Sequence, residues 1–281
     1  MQGAVRSAIL LVAACAASAA CKSNAEAPRP DEQDEPITAA PADGADTEAA
    51  AGPSAPPPGP TGSIRGTIKL TGAPPEMPLL QRGADAVCAR KEMHAETVLV
   101  GPGGGLQNAL VRVAPGAVPG WVPPRPVVVD QIDCMYRPRV QGGVRGQQIE
   151  IKNSDDTSHN VNARRLAWGE RRDTDTIFNR GQAAGSPPIT SAIRDDDILK
   201  LKCDQHGWMQ GYVVVSDNPY FATSGQDGTF TIDRAPAGTY QVQIWHEYFG
   251  VKTQEVTVAE GKPATVDITY DAEKDRPAQT R

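Results

Sequence analysis

The sequence has few aromatic residues and few histidines. Phenylalanine, tryptophan and tyrosine make up 5% of the 281 residues, and only four residues are histidine. No segment repeats apolar residues at the 3.6-residue spacing of a long amphipathic helix. Glycine and proline, in contrast, are abundant, with 27 and 25 residues. This composition argues against a helical bundle and favours short strands joined by many turns.

The negative charge lies mostly outside the segment that can form a core. The formal net charge is −6, and residues 21–62 alone carry −6, because eight acids there face only Lys22 and Arg29. The chain from residue 63 onward is nearly neutral, at about −1. A basic face is therefore not expected, and neither is a nucleic-acid partner.

The first 21 residues have the layout of an export signal. One arginine precedes an apolar run that ends in small residues and cysteine, MQGAVRSAILLVAACAASAAC. The pattern resembles a bacterial lipoprotein signal, in which residues 1–20 are removed and Cys21 is lipidated. Cys15 is the alternative lipidation site, and an ordinary cleaved signal peptide is a further alternative. Each of these interpretations places the protein outside the cytoplasm, in the periplasm or at the cell surface, where disulfides persist.

Residues 21–62 are expected to be a disordered acidic tether, because alanine, proline and acids dominate there and little can be buried. From residue 63 onward, runs of β-branched and aromatic residues alternate with turn residues. The predicted strands lie at 63–72, 96–100, 108–114, 126–130, 147–153, 158–163, 198–203, 211–216, 228–233, 239–245, 254–260 and 264–270. We expect an all-β chain, with two β-sandwiches.

One loop gathers three candidate metal ligands. Cys203, His206 and Met209 have the spacing C-x2-H-x2-M and are followed directly by the apolar run GYVVV. A blue-copper site needs one cysteine, two histidines and a weak axial donor that is often methionine. His159, in the turn NSDDTSHNVNA, is the candidate for the second histidine.

This arrangement resembles the cupredoxins, and the ligand loop is similar to that of amicyanin-like members. The resemblance implies a Greek-key β-sandwich and one type 1 copper bound by His159, Cys203, His206 and Met209. It also implies that Asn160 ties the two ligand loops together near Asp204. We expect His206 to offer an exposed edge through which electrons pass. The similarity is strong over residues 149–215 and weak over residues 97–148.

The loop departs from the family pattern at three places. Asp204 and Gln205 replace Thr-Pro, and Gly207 replaces a proline, which loosens the loop. Two alternatives remain at this point: a structural zinc site, although zinc prefers a second cysteine or a carboxylate to a thioether, and a sandwich without metal whose Cys203 is inert. Trp208 either shields the metal or packs at the end of the sandwich.

Two cysteines are left over if Cys21 is lipidated and Cys203 binds copper. In an oxidising compartment the remaining pair, Cys88 and Cys134, is predicted to form a disulfide. Two unpaired buried thiols are the alternative.

The C-terminal segment resembles the carboxypeptidase regulatory-like, or transthyretin-like, β-sandwich. DGTFTID, PAGTY and QVQIW carry the resemblance. Such modules begin with a strand like SIRGTIKLTG, which here lies far upstream. We therefore expect residues 63–96 and 218–271 to form one sandwich, with the copper domain (97–217) inserted and residues 272–281 as a tail.

Taken together, these patterns predict an exported blue-copper protein that passes single electrons to a redox partner in the cell envelope. The expected contact with a membrane is the lipid anchor alone. We expect no enzymatic activity, since no Ser-His-Asp group or HExxH motif is found. A copper-scavenging or copper-delivery protein is one alternative. A cell-surface module that binds carbohydrate, with an incidental metal, is the other.

Overall fold

The protein is described by a computed structural model that covers residues 55–56, 58–194 and 198–277. The predicted signal peptide, most of the predicted tether and both candidate lipidation sites, Cys15 and Cys21, lie outside the described residues. The part of the chain that the structure describes contains no helix long and apolar enough to cross a membrane.

The described chain is all-β, which confirms the expected fold class, and its sheets form two sandwiches. Its strands are β1 Thr61–Thr71, β2 Leu110–Val113, β3 Val127–Ile132, β4 Met135–Arg137, β5 Val140–Val144, β6 Gln148–Asn153, β7 His159–Leu166, β8 Thr176–Gln182, β9 Ile189–Ala192, β10 Ile198–Lys202, β11 Gln210–Ser216, β12 Phe221–Thr223, β13 Thr229–Pro236, β14 Gly238–His246, β15 Gly250–Val258, β16 Pro263–Thr265 and β17 Ile268–Asp271. Two one-turn 3-10 helices, Cys88–Arg90 and Pro102–Gly104, are the helical elements in the described ranges.

The site sandwich consists of β3 to β11. One sheet has the order β5-β11-β10-β7-β8 and the other has the order β4-β3-β6-β9. Apolar side chains alternate inward from both sheets, as in Val127 and Val129 of β3 in one sheet and Leu199 and Leu201 of β10 in the other, which are buried. The candidate ligands Cys203 and Met209 belong to the same buried cluster.

The flanking sandwich consists of β1, β2 and β12 to β17. β1 lies between β13, to which it is antiparallel, and β16 and β17, to which it is parallel. β2 lies between β12 and β14 in the opposite sheet. Two central strands of this sandwich therefore come from the chain that precedes the site sandwich.

The pairing places two segments differently from the expected domain boundaries. β2, expected in the copper domain (97–217), pairs along β14, with Leu110 opposite Trp245. Within residues 73–95, expected in the flanking sandwich, Met77 does pack against that sandwich. The stretch from Arg82 to Lys91 instead lies at the loops of the site sandwich, where both of these residues contact Asp133 and where Cys88 is joined to Cys134. Only Thr61–Thr71 of the upstream segment forms a ladder with the C-terminal strands.

Several strands also differ from the expectation. The prediction of a strand at 96–100 is wrong, because the only bridge that this segment forms is the isolated one between Val100 and Leu106. The pattern missed β8, which is a largely exposed, polar strand, and β5, which contains two glycines. The backbone at Gly142 lies so close to Phe221 that a Cβ there would be 2.2 Å from its ring, so that glycine is needed where the two sandwiches meet.

Candidate metal centre

The ladder between β7 and β10 brings the two ligand loops together. These strands are antiparallel, and Lys202 at the end of β10 faces Asn162 near the start of β7. His159, the first residue of β7, and Cys203, which directly follows β10, therefore lie at the same end of the sheet. The backbone then turns between Cys203 and Met209, with the N–H of Met209 donating to the carbonyl of His206 at 2.9 Å.

Three donor atoms converge in this turn. The Nδ1 atoms of His159 and His206 lie 4.0 and 3.7 Å from the Cys203 Sγ and 2.9 Å from each other. Protein ligands bind a first-row metal such as zinc at about 2.0–2.3 Å, which requires donors roughly 3–4 Å apart around one centre. The described donors have this spacing, and the set of one thiolate and two imidazoles is the one that copper takes in blue-copper sites. The residues present thus fit copper.

All four predicted ligands are buried. His159 and Met209 are fully buried, and Cys203 and His206 are 2% and 5% exposed. Met209 packs in the same apolar cluster as Cys203. The four side chains are therefore shielded from water before any metal binds.

The electrostatics of the site favour a thiolate. Burial raises the pKa of Cys203, but hydrogen bonds from His159 and from the backbone N–H of Asn160 outweigh it, and the net pKa lies below the usual value. Burial lowers the pKa of His159, yet Asp155 and the Cys203 sulfur bring it to about 9. The pKa of His206 is lowered, first by burial and then by the positive charge of His159. The hydrogen bond from His159 thus supports the thiolate form of Cys203.

Asn160 links the two ligand loops. Its Oδ1 accepts the backbone N–H of Asp204 at 2.7 Å, and its own backbone N–H points to the Cys203 sulfur at 3.5 Å. The Asp204 carboxylate in turn accepts from the Nδ2 atoms of Asn160, Asn162 and Asn179. The amide contacts hold the pKa of Asp204 below its usual range.

Asn162 and Asn179 were not among the residues predicted to lie at the site. Asn162 could have been found from the sequence, because it is two residues after Asn160, and side chains at this spacing lie on the same face of a strand. Asn179 lies on the polar strand β8, which the pattern missed, so only the pairing of β7 with β8 identifies it.

The expectation of an exposed His206 edge is wrong, because a cover lies over it. The cover, residues 73–95, is attached by the Cys88–Cys134 disulfide. Arg82 donates to the carbonyl of Asp133, and its guanidinium lies 6.0 Å from the ring of Trp208. The Cys88 sulfur is 3.8 Å from Nε2 of His206. The cover thus occupies the side of His206 that faces away from the other ligands.

Trp208 also lies over His206, beside the cover. Its ring centroid is 5.1 Å from that of His206, and its Nε1 donates to the carbonyl of Cys134 at 3.1 Å. Trp208 therefore both packs against the cluster at the end of the sandwich and shields His206.

The sequence patterns did not predict the contacts of two aspartates with the histidines of the site. Asp155 Oδ2 lies 2.9 Å from Nε2 of His159, and Asp85 Oδ2 lies 3.4 Å from Nε2 of His206. The pKa of Asp85 is lowered to about 2, first by the backbone N–H of Cys88 and by Thr157. The pKa of Asp155 is also lowered, since hydrogen bonds outweigh burial. The aspartate at 85 is far away in sequence, and no local pattern could link it to His206.

The other two histidines lie away from the centre. His246 is fully buried at the end of β14, and its Nδ1 accepts the backbone N–H groups of Tyr248 and Phe249. His94 is exposed on the cover, with Nδ1 2.8 Å from the carbonyl of Met77. Neither joins the groups of potential metal ligands found among the described residues.

Known proteins provide three kinds of comparison. Among solved structures, the chain is similar to a purple cupredoxin from Nitrosopumilus maritimus, with 19% identity and a TM-score of 0.27 over 32% of this chain and 99% of that one. It is also similar to a mutant of amicyanin, with 19% identity and a TM-score of 0.26 over 37% and 91% of the two chains.

A third similar structure is the copper-containing nitrite reductase of Thermus scotoductus, with 20% identity and a TM-score of 0.27, of which this chain spans 25%. No curated protein sequence matches the chain. Among protein families, the model of the carboxypeptidase regulatory-like domain matches residues 210–271.

Proposed function

We propose that the protein is a blue-copper protein that transfers single electrons. The observation that supports this most directly is the convergence of the Cys203 sulfur and the Nδ1 atoms of His159 and His206 within 4.8 Å, all buried. Copper bound there would supply Cu(II)/Cu(I) chemistry, one electron at a time. Met209 would be the weak axial ligand.

The residues of this chain would contribute rigidity. His159 and Cys203 are attached to two neighbouring strands of one sheet, and Asn160 joins their loops. Such contacts restrict the movement of ligands between the two oxidation states, which keeps the reorganisation small. Because the four ligands are at most 5% exposed, a substrate has no direct access to the metal. We therefore propose a carrier and not an enzyme.

The visible spectrum of the copper-loaded, oxidised protein tests this function. We expect an intense thiolate-to-copper absorption that Cys203→Ser abolishes, because no other described cysteine thiol is free. Met209→Leu is expected to retain the colour and raise the reduction potential, since a donor to Cu(II) is lost. A colourless oxidised protein, or a band that survives Cys203→Ser, would contradict the proposal.

Export and anchoring are a further part of the proposal. The motivation is the signal layout with its terminal cysteine. We propose that acylated Cys21 anchors the protein to a membrane and that a redox partner protein meets it in the cell envelope. Mass spectrometry of the mature N-terminus should find acylated Cys21; acylated Cys15 would correct the position, and an unmodified N-terminus would exclude the anchor.

A further inference from the structure

The disulfide is connected to both candidate histidine ligands through aspartates. Asp85 accepts the backbone N–H of Cys88 at 3.0 Å with Oδ1, and its Oδ2 lies 3.4 Å from Nε2 of His206. Asp155 accepts the backbone N–H of Cys134 at 2.9 Å, and the same oxygen lies 2.9 Å from Nε2 of His159. Each half-cystine is thus joined to one histidine by one carboxylate.

The aspartates face the atoms that need an acceptor. Both imidazoles direct Nδ1 towards the Cys203 sulfur, at 4.0 and 3.7 Å. A neutral imidazole that binds metal through Nδ1 carries its hydrogen on Nε2. Since His159 and His206 are 0% and 5% exposed, bulk water is not the partner of this hydrogen. Asp155 and Asp85 are the carboxylates beside it.

Asp85 is held firmly in this position. Its Oδ1 also accepts the backbone N–H of Val87 at 2.8 Å, and its Oδ2 accepts the hydroxyl of Thr157 at 2.8 Å. The carboxylate is therefore fixed both by its own segment and by the loop that precedes His159. Asp85, which belongs to the cover, therefore contacts His206 although it precedes that residue by more than 100 positions in the chain.

We propose that Asp85 and Asp155 are positioning residues for the two histidine ligands, and that the Cys88–Cys134 disulfide joins them into one brace. The brace fixes both rings in the orientation that presents Nδ1 to the metal. The two negative charges also stabilise the more highly charged Cu(II) state, which lowers the reduction potential. This inference rests on the copper site proposed above.

The test compares three substitutions, each of which removes one carboxylate charge. Asp85→Asn keeps an oxygen for the backbone N–H groups of Val87 and Cys88 but places an amide donor near Nε2 of His206. We expect a 10- to 100-fold loss of copper affinity, the usual effect of removing such a partner of a ligand, and a higher reduction potential. Asp155→Asn is expected to have the same effect through His159.

Asp156→Asn is the matched control. Asp156 is on the same loop, its side chain is 83% exposed, and it contacts Arg90 at 3.4 Å. We expect its copper affinity to stay within about twofold of the wild type, because exposed pairs contribute little. If Asp85→Asn and Asp156→Asn have equal affinities and equal potentials, the positioning role is wrong, although the copper site stands. If the wild type itself shows no thiolate-to-copper band, it is the proposed function that fails.

A measurement on the wild type keeps the test independent of how the variants fold. In the diamagnetic Cu(I) protein, nitrogen NMR of the imidazoles should show Nε2–H of both histidines protected from exchange with solvent. An Nε2–H of His206 that exchanges at the rate of a free imidazole would overturn the role of Asp85. Titration of free thiols and a cooperative unfolding transition identify any variant whose disulfide or fold is lost.

Discussion

At the residue scale, His246 is a neutral histidine that the fold cannot easily protonate. Its Nδ1 accepts two backbone N–H groups, from Tyr248 and Phe249, so the ring hydrogen is on Nε2. Burial, and then the positive charge of Arg139, lower its pKa to about 3 from an ordinary 6.5. Protonation would place a second hydrogen on Nδ1 and break both contacts.

The sign of the pH effect follows from this shift. Below about pH 6.5 the unfolded chain binds the proton and the folded chain does not, so stability is complete above pH 6.5 and declines towards pH 3. We expect His246 to contribute a loss of about 1.4 kcal/mol in the free energy of unfolding per pH unit below pH 6. Urea unfolding of the metal-free protein between pH 6.5 and 4.5 measures it.

His246→Asn isolates this contribution. An asparagine Oδ1 can replace Nδ1 as acceptor but does not titrate, so the variant should have a shallower dependence on pH than the wild type. Equal slopes for the wild type and His246→Asn would contradict the argument.

At the scale of elements, the cover lies against His206 of the candidate metal centre. The Cys88–Cys134 disulfide closes a loop with a sequence separation of 46, and such a bond stabilises the folded chain by about 4 kcal/mol on a chain-entropy estimate, because it restricts the unfolded chain. The other attachments include the exposed pair of Lys91 and Asp133, which contributes less than about 1 kcal/mol. The disulfide is therefore the main attachment.

Loss of the disulfide should make the copper-loaded protein release its metal faster. If the cover loses only about 1.4 kcal/mol of its attachment, the open population rises tenfold. We expect the double variant Cys88→Ser/Cys134→Ser to lose Cu(I) to a chelator at least about ten times faster than the wild type. Stopped-flow mixing with a coloured chelator measures the rate.

Lys91→Ala is the control for this experiment. It disturbs the cover at an exposed ion pair and should stay within about fivefold of the wild-type rate. A release rate that is the same with and without the disulfide would show that the cover does not limit exchange of the metal.

At the scale of the whole molecule, the two sandwiches share one chain in an interleaved order. A buried cluster that includes Leu110, Tyr212 and Trp245 lies between them. The ion pair of Arg139 with Glu247, whose side chains are 5% and 4% exposed, also joins them. We propose that the flanking sandwich is one folding unit that the site sandwich interrupts.

This proposal predicts that the C-terminal segment does not fold alone. A fragment of residues 218–281 lacks β1 and β2, each of which lies between two other strands of its sheet. The fragment would expose unpaired edges and the apolar faces of β13 and β14, so we expect no cooperative thermal transition. A chain of residues 55–281 should unfold cooperatively, as judged by circular dichroism. A cooperative transition in the short fragment would reject the interleaving.

The sequence by itself determined the local features of this protein. Alternating β-branched residues predicted most strands correctly, since the period of two is a property of the strand itself. The spacing of Cys203, His206 and Met209 indicated one site, because a short loop after a strand keeps its own residues together. The resemblance to the cupredoxins added His159 to that site. The leftover pair Cys88 and Cys134 was likewise found by counting.

Only the tertiary structure decided what surrounds that site. Asp85 contacts His206 through the folding of the cover, and the Asp204 carboxylate collects amides from two strands, β7 and β8. The strand β2 pairs with β14 of the flanking sandwich, and the sequence could not indicate this pairing because the two strands are far apart along the chain. Such contacts depend on which strands pair across long separations, and the energy that selects the pairs comes from burial over the whole core. The exposure of His206 was predicted wrongly for the same reason, since the segment that covers it precedes it by more than 100 residues.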